Sequence, residues 1–143
     1  MLSWIIPRLT QLVAQWSPVA IVVDGPAGSV VPQLEDLRVP VYRTSVQELG
    51  TACGMFYDAV MGASLRHVNQ PILTNAVEVA RQRPLGDLWA WSRKESESDI
   101  SPVVAATLAL WGFVVAKPKK KSGGRGRTVG NRTVSANRRG IVH

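Results

Sequence analysis

Residues 19–44 carry the clearest structural signal of the chain and read VAIVVDGPAGSVVPQLEDLRVPVYRT. The unbroken β-prone run at 19–23 is typical of a strand that is covered on both faces. After a Gly-Pro-Ala-Gly turn, Ser29 is placed to cap a short helix, and residues 39–44 favour a second strand. The inward side chains of that helix would be Val30, Leu34 and Leu37. A strand, a helix and a strand in so short a stretch predict a βαβ crossover with two parallel strands.

Helical patterns flank this unit on both sides. Apolar side chains at helical spacing predict an amphipathic helix over residues 2–16, with Leu2, Ile5, Leu9, Leu12, Val13 and Trp16 on one face. Ser45 and Glu48 form a capping box that opens the next helix. The buried stripe of that helix would be Leu49, Ala52, Cys53, Phe56 and Val60, with Gly62 at its end.

The second half of the chain has fewer turn signals. A helix is predicted from Pro71 to about Arg83, with Pro84 ending it. The alternating residues 88–92 indicate either a short strand or an extended rim segment. Ser101 is predicted to cap a last helix over 103–114, with Pro102 at its first position. This helix is apolar nearly all round, so we expect it to be buried.

Charge divides the chain into two parts. Nine of its 17 lysines and arginines lie in residues 117–143, which contain no acidic residue, so residues 1–116 have a formal charge of −2 from eight basic and ten acidic side chains. We predict one domain over 1–116 and a basic tail over 117–143 that cannot bury enough surface to order itself. Such a tail is drawn to polyanions without reading sequence. The alternative is a solubilising tail whose binding is incidental.

Composition excludes several classes of protein. The only cysteine is Cys53, which rules out a disulfide scaffold and a multi-cysteine zinc site and suits a reducing cytosol. The longest apolar run near the start is too short to span a bilayer. We therefore expect a soluble intracellular protein that does not associate with membranes.

Two aspartates are candidate metal ligands and catalytic acids. Asp24 follows the first predicted strand, where open α/β sheets build their sites, although it could instead only cap the turn. Asp99 precedes the apolar helix, where an acid is often no more than a partner of the helix dipole. Two carboxylates from separate elements make half of a magnesium or manganese site. A two-metal phosphodiesterase normally needs a third or fourth acid.

Other polar residues offer weaker signals. Arg93 and Lys94 could bind a phosphate backbone, but a solvated pair on a loop is the commoner arrangement. His67 could be a ligand or a base, but a lone histidine after a helix is more often structural. Trp89 and Trp91 are expected to pack rather than stack on bases.

Several ordered blocks of the chain resemble the C-terminal end of large terminase subunits from actinobacterial phages and prophages. They are ACGMFYDAV at 52–60, LRH at 65–67, RPLGDLWAWSR at 83–93, SDISP at 98–102 and AATLALW at 105–111. The resemblance covers about residues 2–116 and excludes the tail.

This resemblance implies a ribonuclease H-like nuclease domain, which cuts concatemeric viral DNA during packaging with a divalent metal, Mg²⁺ or Mn²⁺. Asp24 matches the acid that follows the fourth strand of such domains, and Asp99 matches the acid at the final helix. Arg93 and Lys94 would then steer DNA, and the tail would add a non-specific grip through Lys117, Lys119, Lys120, Lys121, Arg125 and Arg127.

The chain departs from the family at its start. The first three strands, the first catalytic acid and the packaging ATPase would lie upstream of Met1. We therefore expect a partial ribonuclease H-like fold over 1–116, with exposed apolar surface along one edge of the strand at residue 19. Metal binding should be weak and hydrolysis negligible unless an upstream terminase ATPase or nuclease segment joins this chain in the host cytoplasm.

A non-enzymatic function is the alternative hypothesis. In this case the chain would be a prophage remnant or an accessory protein that binds double-stranded DNA through the tail, and both aspartates would be idle.

Overall fold

Five α-helices and two small sheets form a mixed α/β structure over residues 3–116, the part of the chain that the computed structural model describes. The helices are α1 (Ile5–Trp16), α2 (Val31–Glu35), α3 (Val46–Met61), α4 (Pro71–Val79) and α5 (Ser101–Ala116). The strands are β1 (Ile21–Val23), β2 (Val41–Arg43), β3 (Arg81–Leu85) and β4 (Leu88–Ser92). The predicted tail lies outside the described residues.

Strands β1 and β2 pair in parallel, as the sequence predicts. Val23 lies opposite Arg43 in the register, and the backbone N–H of Thr44 donates to the Val23 carbonyl at 3.0 Å. The connection differs from the prediction, because a 3₁₀ helix over Gly25–Val30 leads directly into α2. Ser29 therefore lies inside the 3₁₀ helix and caps nothing, and the N-cap of α2 is Val30.

The parallel pair is packed on both faces along part of its length. On one face Val23 forms a cluster with Val30 and Leu34, against which Ile6 and Leu9 of α1 also pack. On the other face Val22 packs on α5, where a β-carbon added at Gly112 would collide with the Val22 side chain. The pair thus lies between a layer formed by α1 and α2 and a layer formed by α5.

The outer edge of β1 is open among residues 3–116. β1 pairs only with β2, and a groove of about 480 Å³ runs beside the edge. Its lining includes Trp16, Val19, Val22, Ala109 and Phe113. Val19, which precedes β1, is 52% exposed, and only Val23 of the strand is buried, so the two covered faces leave the edge of the strand open. The expectation of exposed apolar surface along this edge is confirmed.

A β-hairpin replaces the end of the fourth predicted helix. Helix α4 ends at Val79 rather than near Arg83, and β3 pairs antiparallel with β4. Gly86 makes the turn possible because its φ is +62°, a conformation that favours glycine. The alternating residues 88–92 form a strand, one of the two predicted alternatives, whereas the prediction of helix at residues 81–83 is wrong because they belong to β3.

Helix α3 begins as the sequence predicts. The Ser45 hydroxyl accepts from the Glu48 N–H and the Glu48 carboxylate accepts from the Ser45 N–H, which completes the capping box. Ala52, Cys53 and Phe56 are buried, but Val60 is 47% exposed and does not belong to the buried stripe.

Helix α5 contributes most of the main core. Val103, Val104 and Leu108 form a cluster with Phe56 of α3 and Ala76 of α4. The helix is not buried all round, since Phe113, Val114 and Val115 are each about half exposed. The helix begins at Ser101, which was predicted to be the cap, so its first residue lies one position before the predicted one, Pro102. Within residues 3–116, no helix combines the length and the hydropathy that crossing a bilayer requires.

Candidate functional site

Asp24 lies at the carboxyl end of β1 and is 5% exposed. Its carboxylate does not cap the following 3₁₀ helix, although its carbonyl oxygen accepts from the Ala27 N–H. Instead Oδ2 accepts a charge-assisted hydrogen bond from Nη2 of Arg93 at 2.7 Å. A buried carboxylate needs such a partner, because leaving it unpaired would cost the desolvation of the charge.

Asp99 is exposed and lies two residues before α5 begins. Its Oδ1 accepts from the backbone N–H of Ser101 at 2.8 Å, one of the N–H groups that the first turn of a helix leaves unpaired. Hydrogen bonds from Ser101 lower the pKa of Asp99 most, and the positive charge of Arg93 lowers it further. Asp99 thus performs the ordinary role of an acid at a helix start.

Arg93 contacts one of the two predicted acids. It follows β4, and its side chain crosses to the end of β1, 69 residues away in the sequence, while its charge also acts on Asp99. The side chain of Arg93 remains 48% exposed. The structure thus assigns the Arg93 guanidinium a contact with Asp24 within the chain, whereas the hydrogen-bond partner of Asp99 is Ser101.

Arg43 is a residue of this edge that the sequence analysis missed. The register places it beside Val23, immediately before Asp24, and its guanidinium lies against the backbone of Gly28. A β-carbon at Gly28 would lie 2.8 Å from Arg43 Cζ and 2.9 Å from Nη2. The signal that could have found Arg43 is its position at the carboxyl end of the second parallel strand.

The remaining predicted residues fall into three groups. Lys94 is exposed beside Arg93. His67 Nδ1 accepts from the Asn69 N–H at 3.0 Å, which gives this residue a structural contact in its own loop. The cationic positions predicted to bind DNA in the tail, Lys117, Lys119, Lys120, Lys121, Arg125 and Arg127, lie outside the described residues.

The two tryptophans of β4 pack, as expected. The Trp91 indole N–H donates to Thr107 of α5 at 2.9 Å, and its ring meets Phe56 edge to face. Trp89 contacts Tyr57 and Trp91 in the same way. These contacts fix β4 against α3 and α5, and they hold the end of β4, from which Arg93 extends.

The carboxylates of residues 3–116 do not by themselves make a complete site for a divalent cation. Within that range no three His, Cys, Asp or Glu side chains are grouped so that they could hold a metal ion. One oxygen of Asp24 is bound to Arg93 and one oxygen of Asp99 to Ser101.

We compared the chain with known proteins and found no relative. No protein-family model matches the chain, and no curated protein or solved structure shows significant similarity to it.

Proposed function

We propose that this chain is the C-terminal part of a phage or prophage large terminase subunit, and that it contributes two acids to the metal-dependent endonuclease of viral DNA packaging. Asp24 and Asp99 are the proposed acids, Arg93 and Lys94 the proposed DNA contacts within residues 3–116, and the host cytoplasm the place of action. The fold is proposed to be a partial ribonuclease H-like domain over residues 1–116.

The observation that carries the proposal is the buried Asp24 carboxylate, which lies at the carboxyl end of β1 and binds the Arg93 guanidinium. Asp99 lies 75 positions further along the chain, just before α5, and the resemblance of the sequence to terminases makes it the second proposed acid. A buried carboxylate at the end of a parallel strand is also where α/β proteins assemble their sites. The sequence blocks that resemble terminases supply the reaction class.

The open edge of β1 supports the proposal that the domain lacks the first strands of a ribonuclease H-like fold. A strand that pairs on one side only, beside an apolar groove lined by Val19 and Val22, can accept another strand. In the proposed fold, the strand that carries the first catalytic acid would pair there. That acid would complete a donor set that residues 3–116 lack, and Mg²⁺ or Mn²⁺ would be the cofactor.

Reconstitution tests this proposal. The chain is mixed with an upstream terminase segment that carries the first strands and the ATPase, and nicking of supercoiled plasmid is followed with and without Mn²⁺. We expect nicking only in the mixture, and we expect Asp24→Asn to abolish it. Asp36→Asn is the matched control, because Asp36 is an exposed aspartate of the segment after α2. Equal activity of the two variants, or a mixture without activity, would contradict the proposal.

The charge distribution favours a second candidate function. Residues 117–143 hold nine cations and no acid, so the chain could act as an accessory protein that binds double-stranded DNA through this segment alone. Under this alternative, Asp24→Asn changes nothing measurable in DNA binding, and deleting residues 117–143 removes it.

A further inference from the structure

We propose that Arg43 binds a phosphate group of the DNA backbone at the edge of the sheet that carries Asp24, and that Arg93 supplies a second guanidinium to the same strand. We call these two residues the arginine pair. The inference rests on the proposed function only in taking duplex DNA as the ligand.

Within residues 3–116, Arg43 is a cation of this edge that no acidic side chain neutralises. The charge of Arg93 is matched by Asp24 at 2.7 Å. Among the residues that the structure describes, the Arg43 side chain has no carboxylate within 4.0 Å and makes no hydrogen bond, and Arg43 is exposed. A guanidinium offers five N–H donors in a planar fork that matches phosphate oxygens. Arg43 therefore has its full donor set available.

The backbone next to Arg43 is fixed by its neighbours. Thr44 is buried and bonds back to Val23 through its N–H, and Ser45 is fixed by the capping box of α3. The guanidinium lies against Gly28, where the absence of a side chain leaves room for it. An arginine that extends from a fixed backbone loses less conformational entropy when it binds an anion than one on a mobile loop.

The arginine pair brackets the 3₁₀ helix that follows Asp24. Arg93 contacts the residue before this helix, and Arg43 lies against Gly28 inside it. At about 2 Å of rise per residue, those two contact points are roughly 8 Å apart. Neither arginine lines the groove beside β1 or the cavity between α3 and α4. This open placement suits a nucleic-acid backbone better than an enclosed small anion.

Salt-dependent binding of the full-length chain tests the inference without metal and without any upstream segment. The probe is a fluorescent DNA duplex of arbitrary sequence, and its anisotropy is measured from 50 to 200 mM salt. Each phosphate contact adds about 0.9 to the slope of log affinity against log salt. We expect Arg43→Ala to reduce the slope by about this amount, which is roughly a 3.5-fold smaller loss of affinity across that salt range.

Arg66→Ala is the matched control. Arg66 is an exposed arginine in the segment between α3 and α4, and it too lacks an ion pair within residues 3–116. We expect its slope to equal that of the unaltered chain. Equal slopes for Arg43→Ala and Arg66→Ala would overturn the inference. The proposed nuclease could still be reconstituted in that case, so the two proposals fail separately.

Gly28→Ala separates the position of the guanidinium from its charge. The added methyl must push aside the tip of the Arg43 side chain, which is flexible, while the charge of the chain stays the same. We expect weaker duplex binding together with an unchanged melting curve.

A second measurement uses the unaltered chain. The Nε–H resonance of Arg43 in its NMR spectrum should shift when duplex is added, and the resonance of Arg66 should not. A Gly28→Ala variant that binds like the unaltered chain, or an Arg43 resonance that does not move, would overturn the inference.

Discussion

At the scale of the residue, the ion pair between Arg93 and Asp24 is asymmetric. Asp24 is buried, whereas the Arg93 side chain is about half exposed. Removing the arginine leaves a buried charge without a partner, but removing the charge of the aspartate leaves an arginine that water can solvate. Mutations of the two partners should therefore have unequal effects on stability.

We predict that Arg93→Ala lowers the free energy of unfolding by about 1–3 kcal/mol, which is the cost of an unsatisfied buried acceptor. Asp24→Asn should cost less, because an asparagine has the same size, carries no charge and still offers a carbonyl oxygen to Arg93. Urea denaturation of both single variants and of the double variant measures the difference. A larger loss for Asp24→Asn than for Arg93→Ala would contradict this account.

The capping box gives a second prediction at this scale. Ser45→Ala removes a side chain that accepts from the N–H of Glu48, and loss of such a cap costs about 1 kcal/mol. Ser98→Ala is a suitable control, because Ser98 is exposed and lies outside the helices. Urea midpoints should fall for the first variant and stay unchanged for the second; equal midpoints would mean that the box contributes nothing.

The same box makes stability depend on pH. The backbone N–H of Ser45, and then its side chain, lower the pKa of Glu48 below its ordinary value of 4.5. Because the folded-state pKa is the lower one, the stabilisation is fully present above pH 4.5 and is lost as the pH falls through the folded-state pKa. Glu48→Gln should therefore flatten the pH dependence of the urea midpoint below pH 4.5. An unchanged profile would show that Glu48 is not its source.

At the scale of the element, close packing between β1 and α5 depends on a glycine. Gly112 lies in the middle of a helix, where glycine is about 1 kcal/mol less favourable than alanine. Its position is explained by Val22, whose side chain occupies the space that a β-carbon would need. Gly54 in α3 has no such neighbour within 4 Å.

We predict opposite effects for the two glycine substitutions. Gly112→Ala should destabilise the protein by about 1–3 kcal/mol before the helix-propensity gain is subtracted, because it overpacks the contact with Val22. Gly54→Ala should stabilise it by up to about 1 kcal/mol. Thermal melts of both variants check this, and Val22→Ala should rescue Gly112→Ala. Stabilisation by both substitutions would show that β1 and α5 are not closely packed.

At the scale of the whole molecule, charge and fold are carried by different parts of the chain. Residues 1–116 have a formal charge of −2 and include the described fold, whereas residues 117–143 carry nine positive charges. Affinity for a polyanion and stability of the fold should therefore respond separately to truncation.

We predict that deleting residues 117–143 removes most of the affinity for duplex DNA and leaves the melting temperature unchanged. With nine phosphate contacts, the salt slope of the intact chain would reach at most about −8 from this segment. Anisotropy titrations of the intact and truncated chains, together with their melting curves, measure both quantities. A truncated chain that binds as tightly as the intact one would show that residues 117–143 are not the main DNA contact.

Local patterns were sufficient where neighbours in the sequence set the structure. The capping box at Ser45, the parallel pairing of β1 and β2 and the helix after Pro71 follow from short-range hydrogen bonding, β-propensity and proline geometry. The sequence pattern predicts that the helix continues to about Arg83, and only pairing with β4 across Gly86 makes residues 81–83 part of a strand. The sequence also predicts that Ser29 caps a helix, but Ser29 lies within the 3₁₀ helix over Gly25–Val30.

By itself, the sequence determined the parallel strand pair and most of the α-helices, the separation of a basic segment from a slightly acidic domain, and the positions of Asp24 and Asp99 at element ends. Only the tertiary structure decided which cation Asp24 binds, that Arg43 lies against Gly28, and that one edge of β1 stays open among the described residues. The physical reason is separation along the chain. Propensity and spacing act over a few residues, whereas an ion pair between positions 24 and 93 forms only when packing of the core has brought distant elements together.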